Sequence, residues 1–187
     1  AGGVMAFMNG PGGDGVQPEP VIVELFTSSS CPQCPQAENA LAWLGAEQPV
    51  HGAEIIPIAM HVDFGGLPLK RDPLSRDDFL ARQKAYVEAM GGGTAFTPQI
   101  VVDGRPQSPG CTSDRLRTLV EEAARVSKGY VHMAVLERTP KEVRVSLRVG
   151  PNSRAGSDVY LVVAENGVIN PSLRLTPDTP QTLTAVA

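Results

Sequence analysis

The sequence predicts an α/β sandwich in the order β-α-β-α-β-β-α, followed by a small antiparallel β unit. Three observations carry that prediction. Two short, mostly apolar runs, residues 21–26 and 54–62, are each followed by a helix-like stretch, the pattern of parallel strands joined by right-handed crossovers. Asp103-Gly104 lies between strand-like residues and marks a tight hairpin turn. From Tyr130 onward the apolar residues alternate with polar ones, as in strands with one wet face.

Residues 1–20 are rich in Gly and Pro and read as a flexible arm. Residues 21–26 form a strand buried on both faces, and a polar turn, Thr27-Ser28-Ser29-Ser30, leads from it to Cys31-Pro32-Gln33-Cys34. The helix expected over residues 35–48 turns Ala37, Ala40, Leu41 and Leu44 inward, and Gly45 and Pro49 help to end it. In the second strand Pro57 cannot donate to a ladder, which predicts a free or bulged side there. After a Gly- and Pro-rich loop, Ser75 is placed to cap a helix whose stripe is Phe79, Leu80, Gln83, Tyr86, Val87 and Met90. Gly91-Gly92-Gly93 stops it. Thr97-Pro98 opens the strand before Asp103-Gly104, and Ser113 is placed to cap a last helix with Leu116, Leu119, Val120 and Ala123 inward. The expected domain thus covers residues 21–128. Residues 129–187 hold runs at 131–136, 143–149 and 159–164, a β unit too thin to stand alone and expected to pack on the first.

The composition excludes several function classes. The chain has 187 residues, 42% hydrophobic and 19% charged, with a formal net charge of −4. No cluster of Lys and Arg interleaved with aromatics points to nucleic acid. No apolar run reaches the roughly 20 residues that span a bilayer. Three cysteines are too few for a disulfide scaffold and read better as a site. The start at Ala1 fits either a removed signal peptide or a trimmed fragment.

Cys31 and Cys34 are the centre of the chemistry. The order strand, C-x-x-C, helix puts Cys31 at or just before a helix N-terminus, where unpaired N–H groups and the helix dipole favour a thiolate. Free thiols titrate near ~8.5, and such settings bring them to roughly 3.5–7.5. Cys31 is then the nucleophile and Cys34 the resolving thiol. Two other readings stay open: a structural staple, or half of a metal site, although zinc takes four ligands and no second C-x-x-C or histidine pair is present. Thr97-Pro98 is the second signal. A cis bond there would expose the Thr97 backbone to pair with an extended substrate segment beside the cysteines.

Taken together, Val23-Glu24-Leu25-Phe26-Thr27-Ser28, Cys31-x-x-Cys34-Pro35, His61-Val62-Asp63-Phe64, Arg82-Gln83-x-x-Tyr86 and the run from Thr97-Pro98 to Asp103-Gly104 resemble a secreted bacterial family within the thioredoxin superfamily, catalogued as a domain of unknown function. The resemblance covers residues 20–128 well and the tail only loosely. It implies a thioredoxin-like sandwich, export to the periplasm or beyond, thiol–disulfide exchange on protein thiols and disulfides, and no cofactor. Pro32-Gln33 lacks the histidine that makes some relatives strong oxidants, which implies a moderate poise. Cys111 departs from the pattern. It is either a small buried cysteine or, near the active edge in this fold, an alternative partner for Cys31.

Three further residues are candidates. Glu24 either points into the core beneath the cysteines, where it would take the proton of Cys34, or faces water at a strand edge. His61 and Asp63 end the second strand on the cysteine side. His61 would stabilise the Cys31 thiolate, or bind copper or zinc with Cys31 and Cys34, or simply tie down the following loop. Arg82 is a candidate partner of Asp63. A non-catalytic interaction domain remains the reading from a different class.

Overall fold

A computed structural model describes residues 18–64, 72–107, 112–129, 131–150, 160–168 and 183–186. Residues 1–17 of the arm expected over 1–20, and Cys111, lie outside them, while Glu19 and Pro20 of that arm belong to the first strand. The elements are β1 (Glu19–Thr27), α1 (Cys34–Glu47), β2 (Ala53–His61), α2 (Asp77–Ala89), β3 (Gln99–Val102), β4 (Arg105–Gln107), α3 (Ser113–Ala124), β5 (Val131–Arg138), β6 (Val143–Val149), β7 (Ala164–Val168) and β8 (Leu183–Val186). The first seven follow the predicted order, an arrangement compatible with a thioredoxin-like sandwich.

Their sheet runs β4-β3-β1-β2-β8-β7. β1 lies at its centre, parallel to β2 from Glu19↔Ala53 to Thr27↔His61 and antiparallel to β3 from Val23↔Val102 to Phe26↔Gln99. Side chains alternate along β1, and the two faces bury different helices. Val21, Val23 and Leu25 pack with Ile55, Ala59, Ile100 and the inner faces of α1 and α3. Phe26 packs with Ile58, Met60, Val62, Val101 and Phe79 of α2. A strand buried on both faces needs an apolar run; β1 is so buried from Val23 onward, whereas Ile22 is 41% exposed. Asp103 and Gly104, at φ 46° and 72°, make the predicted hairpin turn, a conformation glycine adopts without steric cost. Asp103 also closes the end of the β1 ladder, donating its N–H to Ile22 O and accepting from Ile22 N–H, both at 2.9 Å.

The residues after 129 divide. β5 and β6 form a two-stranded antiparallel sheet, joined by a turn in which Thr139 Oγ1 accepts the Glu142 N–H at 2.9 Å. β7 and β8 instead join the main sheet, β8 running parallel beside β2 at Ala59↔Ala185. The apolar run at 159–164 was expected to be a buried strand. Tyr160 to Val163 are exposed and the strand starts only at Ala164. The physical reason is register: Ala164 pairs with Val186, the last residue of β8, so the residues before it lie beyond the ladder.

Helix ends differ from expectation where tertiary partners intervene. α1 starts at Cys34 itself, with no side-chain cap. Ser75 does not cap α2, because its hydroxyl donates to Asp72 O at 2.8 Å. Asp77 and Asp78 in the first turn favour that helix end instead. Thr112 rather than Ser113 caps α3, accepting the Arg115 N–H at 3.3 Å. Gly45 does not stop α1, which continues to Glu47 and ends with Gln48 in the left-handed region. The β1 side of Pro57 stays in register, without a bulge, opposite Val23.

Gly45 and Pro57 explain each other. A Cβ on Gly45 would stand 2.7 Å from Pro57 Cγ, so the absence of a side chain lets α1 lie close to β2. Gly→Ala inside a helix ordinarily adds about 1 kcal/mol, whereas overpacking against a rigid ring costs about 1–3 kcal/mol. Gly45→Ala is therefore expected to lower stability by on the order of 1 kcal/mol in thermal unfolding. A rise in Tm would show that α1 has room to spare.

Candidate functional site

The cysteine turn hangs from the carboxyl end of β1. The Cys31 N–H donates to Ser28 O at 3.1 Å and the Cys34 N–H to Cys31 O at 3.2 Å, so two successive turns carry the chain from strand to helix. The Ser29 N–H donates to Asp72 Oδ2 at 2.7 Å, which anchors the turn to the segment before α2. Cys31 and Cys34 are joined as a disulfide with Cα atoms 5.4 Å apart. The pair is asymmetric: Cys31 is partly exposed, whereas Cys34 is wholly buried. Because α1 begins at Cys34, Cys31 stands in the turn ahead of the helix N-terminus rather than within the helix.

The floor beneath this turn is polar and buried. Thr27 and His61 are register neighbours at the ends of β1 and β2, on the face that carries α1. Thr27 Oγ1 donates to Glu38 Oε1 of α1 at 2.5 Å. His61 Nδ1 lies 2.8 Å from Asp72 Oδ2, with both side chains 1% exposed. Asp72 also accepts the Leu74 N–H at 3.0 Å. The other ring nitrogen, Nε2, is buried without a partner among the described residues. Burial opposes the charge on Asp72, but the bonds from His61, Ser29 and Leu74 and the nearby imidazole outweigh it. They hold its carboxyl below the ordinary carboxylate range.

Glu24 is buried, but not beneath the cysteines. Its side chain shares a face with Phe26 and meets α2, on the side of the sheet opposite α1. There Arg82 Nε donates to Oε1 at 2.6 Å and the Tyr86 hydroxyl to Oε2 at 2.5 Å. Burial first, and then the bond to Glu24, push the Tyr86 phenol well above its ordinary value. The bond to Glu24 holds Arg82 the more firmly protonated. Arg82 thus takes Glu24 as its salt-bridge partner, not Asp63, which is partly exposed beyond β2.

Thr97 and Pro98 precede β3, and Phe26↔Gln99 pairing brings them to the sheet end that carries the cysteine turn. Their peptide bond is cis, as expected. Gln83 of α2 holds this segment, its Nε2 donating to Phe96 O at 2.7 Å and to Gln99 Oε1 at 2.8 Å. So the Arg82-Gln83-x-x-Tyr86 motif is a clamp on β1 and on the approach to β3. Among the described residues no group of three or more His, Cys, Asp or Glu is placed to hold a metal ion. No helix among them is long and apolar enough to cross a membrane.

Sequence reasoning missed Glu38 and Asp72. Glu38 was legible by helical arithmetic, four residues after Cys34 and three before Leu41, in line with the inward stripe. Asp72 sits in a loop and gives no periodic signal. Because its folded-state carboxyl is held low, its contribution to stability is complete above the ordinary value of 3.8 and is lost as pH falls through the lower folded value. Asp72→Asn is expected to cost about 2 kcal/mol at pH 7. The deficit against wild type should narrow on acidification to about pH 2.5, read from urea midpoints at the two pH values. A constant deficit would mean that the charge of Asp72 contributes nothing.

Among solved structures, a crystal structure of an Agrobacterium tumefaciens protein is similar at 25% identity, covering 57% of this chain and 44% of that one, with a TM-score of 0.45. The chain thus spans less than half the length of that relative. No curated protein matches. The model of one family, described as "Protein of unknown function (DUF1223)", matches residues 22–174, which takes in the cysteine turn, both buried clusters except Val21, and the β5–β6 hairpin. The chain belongs to the DUF1223 family.

Proposed function

We propose that the protein is a thiol–disulfide oxidoreductase that exchanges the Cys31–Cys34 disulfide with protein thiols and disulfides. The observation that carries this reading is the asymmetry of the pair at the end of a central strand: one sulfur reachable, the other wholly buried. A reachable cysteine forms the mixed disulfide, and a buried neighbour resolves it without competing for substrate. Cys31 is the attacking thiol and Cys34 the resolving one. The N-terminus of α1 and the ring of His61, oriented by Asp72, favour the thiolate of the reduced turn. Thr97 and Pro98, at the same sheet end, are the shelf for an extended substrate segment. A disulfide of this kind persists in an oxidising compartment, so the proposal includes export to the periplasm or beyond.

A staple and a redox pair differ in potential and in exchange. The Cys31–Cys34 couple is expected to equilibrate with a glutathione redox buffer at a potential above about −300 mV. Cys34→Ser is expected to accumulate a mixed disulfide at Cys31, visible by mass spectrometry, and Cys31→Ser to accumulate none. A potential far below that value, with no mixed disulfide in Cys34→Ser, would make the bond a structural staple.

A further inference from the structure

We propose that His61 takes up a proton when the Cys31–Cys34 disulfide is reduced, so that an imidazolium held by Asp72 balances the new thiolate of Cys31. The inference rests on the redox reading above and adds a second proton to it, kept by the protein.

Three observations lead to it. First, a single oxygen joins the ring to the cysteine turn. Asp72 Oδ2 lies 2.8 Å from His61 Nδ1 and accepts the N–H of Ser29, in the turn ahead of Cys31, at 2.7 Å. Second, the ring has a nitrogen to spare. The Asp72 carboxyl is held ionised despite its burial by the bonds from His61, Ser29 and Leu74. An ionised carboxylate only accepts, so Nδ1 carries the hydrogen of its bond and a further proton goes to Nε2. That atom is buried without a partner among the described residues. Third, the charge at this end of the sheet calls for a cation. Reduction leaves a negative charge on Cys31, Asp72 already carries one, and buried charges are poorly screened. Histidine changes its charge between about pH 5 and 8, and an opposite charge nearby favours the charged form.

The neighbouring groups point the same way. β1 presents Thr27 beside His61, and its hydroxyl is bonded to Glu38 of α1. A proton on Glu38 would only remove a negative charge, whereas a proton on imidazole creates the positive one that a thiolate needs. α1 also brings Cys34, buried like Glu38. Arg76, ahead of α2, donates its backbone N–H to His61 O, but its guanidinium pairs with Asp78. Asp63, beyond β2, is partly exposed. α3 turns Leu116, Leu119 and Val120 inward, and β8 has no titratable residue.

Two substrate thiols, R–SH, reduce the disulfide. The first, as its thiolate, attacks Cys31 Sγ; the Cys31–Cys34 bond breaks, and Cys34 leaves and is protonated. The second, as its thiolate, attacks the substrate sulfur of Cys31–S–S–R. The bond to Cys31 breaks, R–S–S–R departs and Cys31 remains a thiolate. The two thiols have given up two electrons, now on the cysteine sulfurs, and two protons, one now on Cys34 and one on His61. Without His61 the second proton would go to solvent. In the opposite direction a substrate disulfide is reduced, and both protons return to the two substrate thiolates.

The test is the equilibrium of the protein with reduced and oxidised glutathione, followed from about pH 5 to 8, where glutathione is mostly a thiol. A proton lost to solvent makes the equilibrium constant for reduction rise about tenfold per pH unit, whereas a proton kept by the protein leaves it level. The wild type is expected to show a level stretch about one pH unit wide or more, over which His61→Gln rises about tenfold per unit. Identical pH profiles, with a wild type that exchanges normally, would overturn the role of His61 and leave the redox reading standing. A wild type that does not exchange with glutathione would instead sink the redox reading itself, and this inference with it. Should His61→Gln lose its thermal unfolding transition, the wild type decides the matter. Followed by NMR, its His61 ring should titrate at higher pH in the reduced protein than in the oxidised one, and an unchanged titration would overturn the proposal.

Discussion

Most of the structure depends on β1 being hydrogen-bonded on both edges and covered on both faces. Parallel pairing to β2 and antiparallel pairing to β3 leave its backbone no freedom to slide. A shift of one residue would exchange the two faces, moving Val21, Val23 and Leu25 away from α1 and α3 and driving the Glu24 carboxylate into that apolar layer. The strand is locked into one register, and its carboxyl end delivers Ser28 and Cys31 to one place. Everything reactive is built from that end, because the loops leaving a parallel pair of strands emerge there together.

The same alternation sorts the buried polar groups into two sets with different work. On the α2 face, Glu24, Arg82 and Tyr86 form a closed cluster, and Gln83 and Gln99 hold the Phe96 segment. These contacts tie α2 to β1 and β3. They bond both oxygens of Glu24 on the side of the sheet opposite α1. On the α1 face, Thr27 bonds Glu38 and His61 bonds Asp72 at the neighbouring ends of β1 and β2, and His61 Nε2 is buried without a partner among the described residues.

Asp72 joins these arrangements. One carboxylate orients the His61 ring and accepts the Ser29 and Leu74 N–H groups, while the Asp72 carbonyl accepts the Ser75 hydroxyl. The turn before Cys31, the end of β2 and the approach to α2 are thereby held by a single residue.

Local sequence dictates the order of elements, the hairpin at Asp103-Gly104, the location of the cysteine pair and the inward stripes of the helices, apart from Met90, which is exposed beyond the end of α2. Each of these is written in local periodicity or turn chemistry, which neighbours along the chain dictate. It also pointed to Thr97-Pro98 and His61 at the same sheet end, because strand order alone implies that. Which face each buried polar residue meets depends on long-range packing. Glu24 and Glu38 are both acidic residues in apolar runs, and no local rule separates a carboxylate clamped by a distant Arg82 from one bonded to Thr27. Likewise, Gly45 reads as a helix stop until Pro57 is seen against it, and Ser75 reads as a cap until Asp72 claims its hydroxyl. The run at 159–164 has the composition of a buried strand, yet a strand needs a partner, and the ladder of β8 reaches only to Ala164. In each case the outcome was set by a partner many residues away, whose position follows from packing and not from sequence spacing.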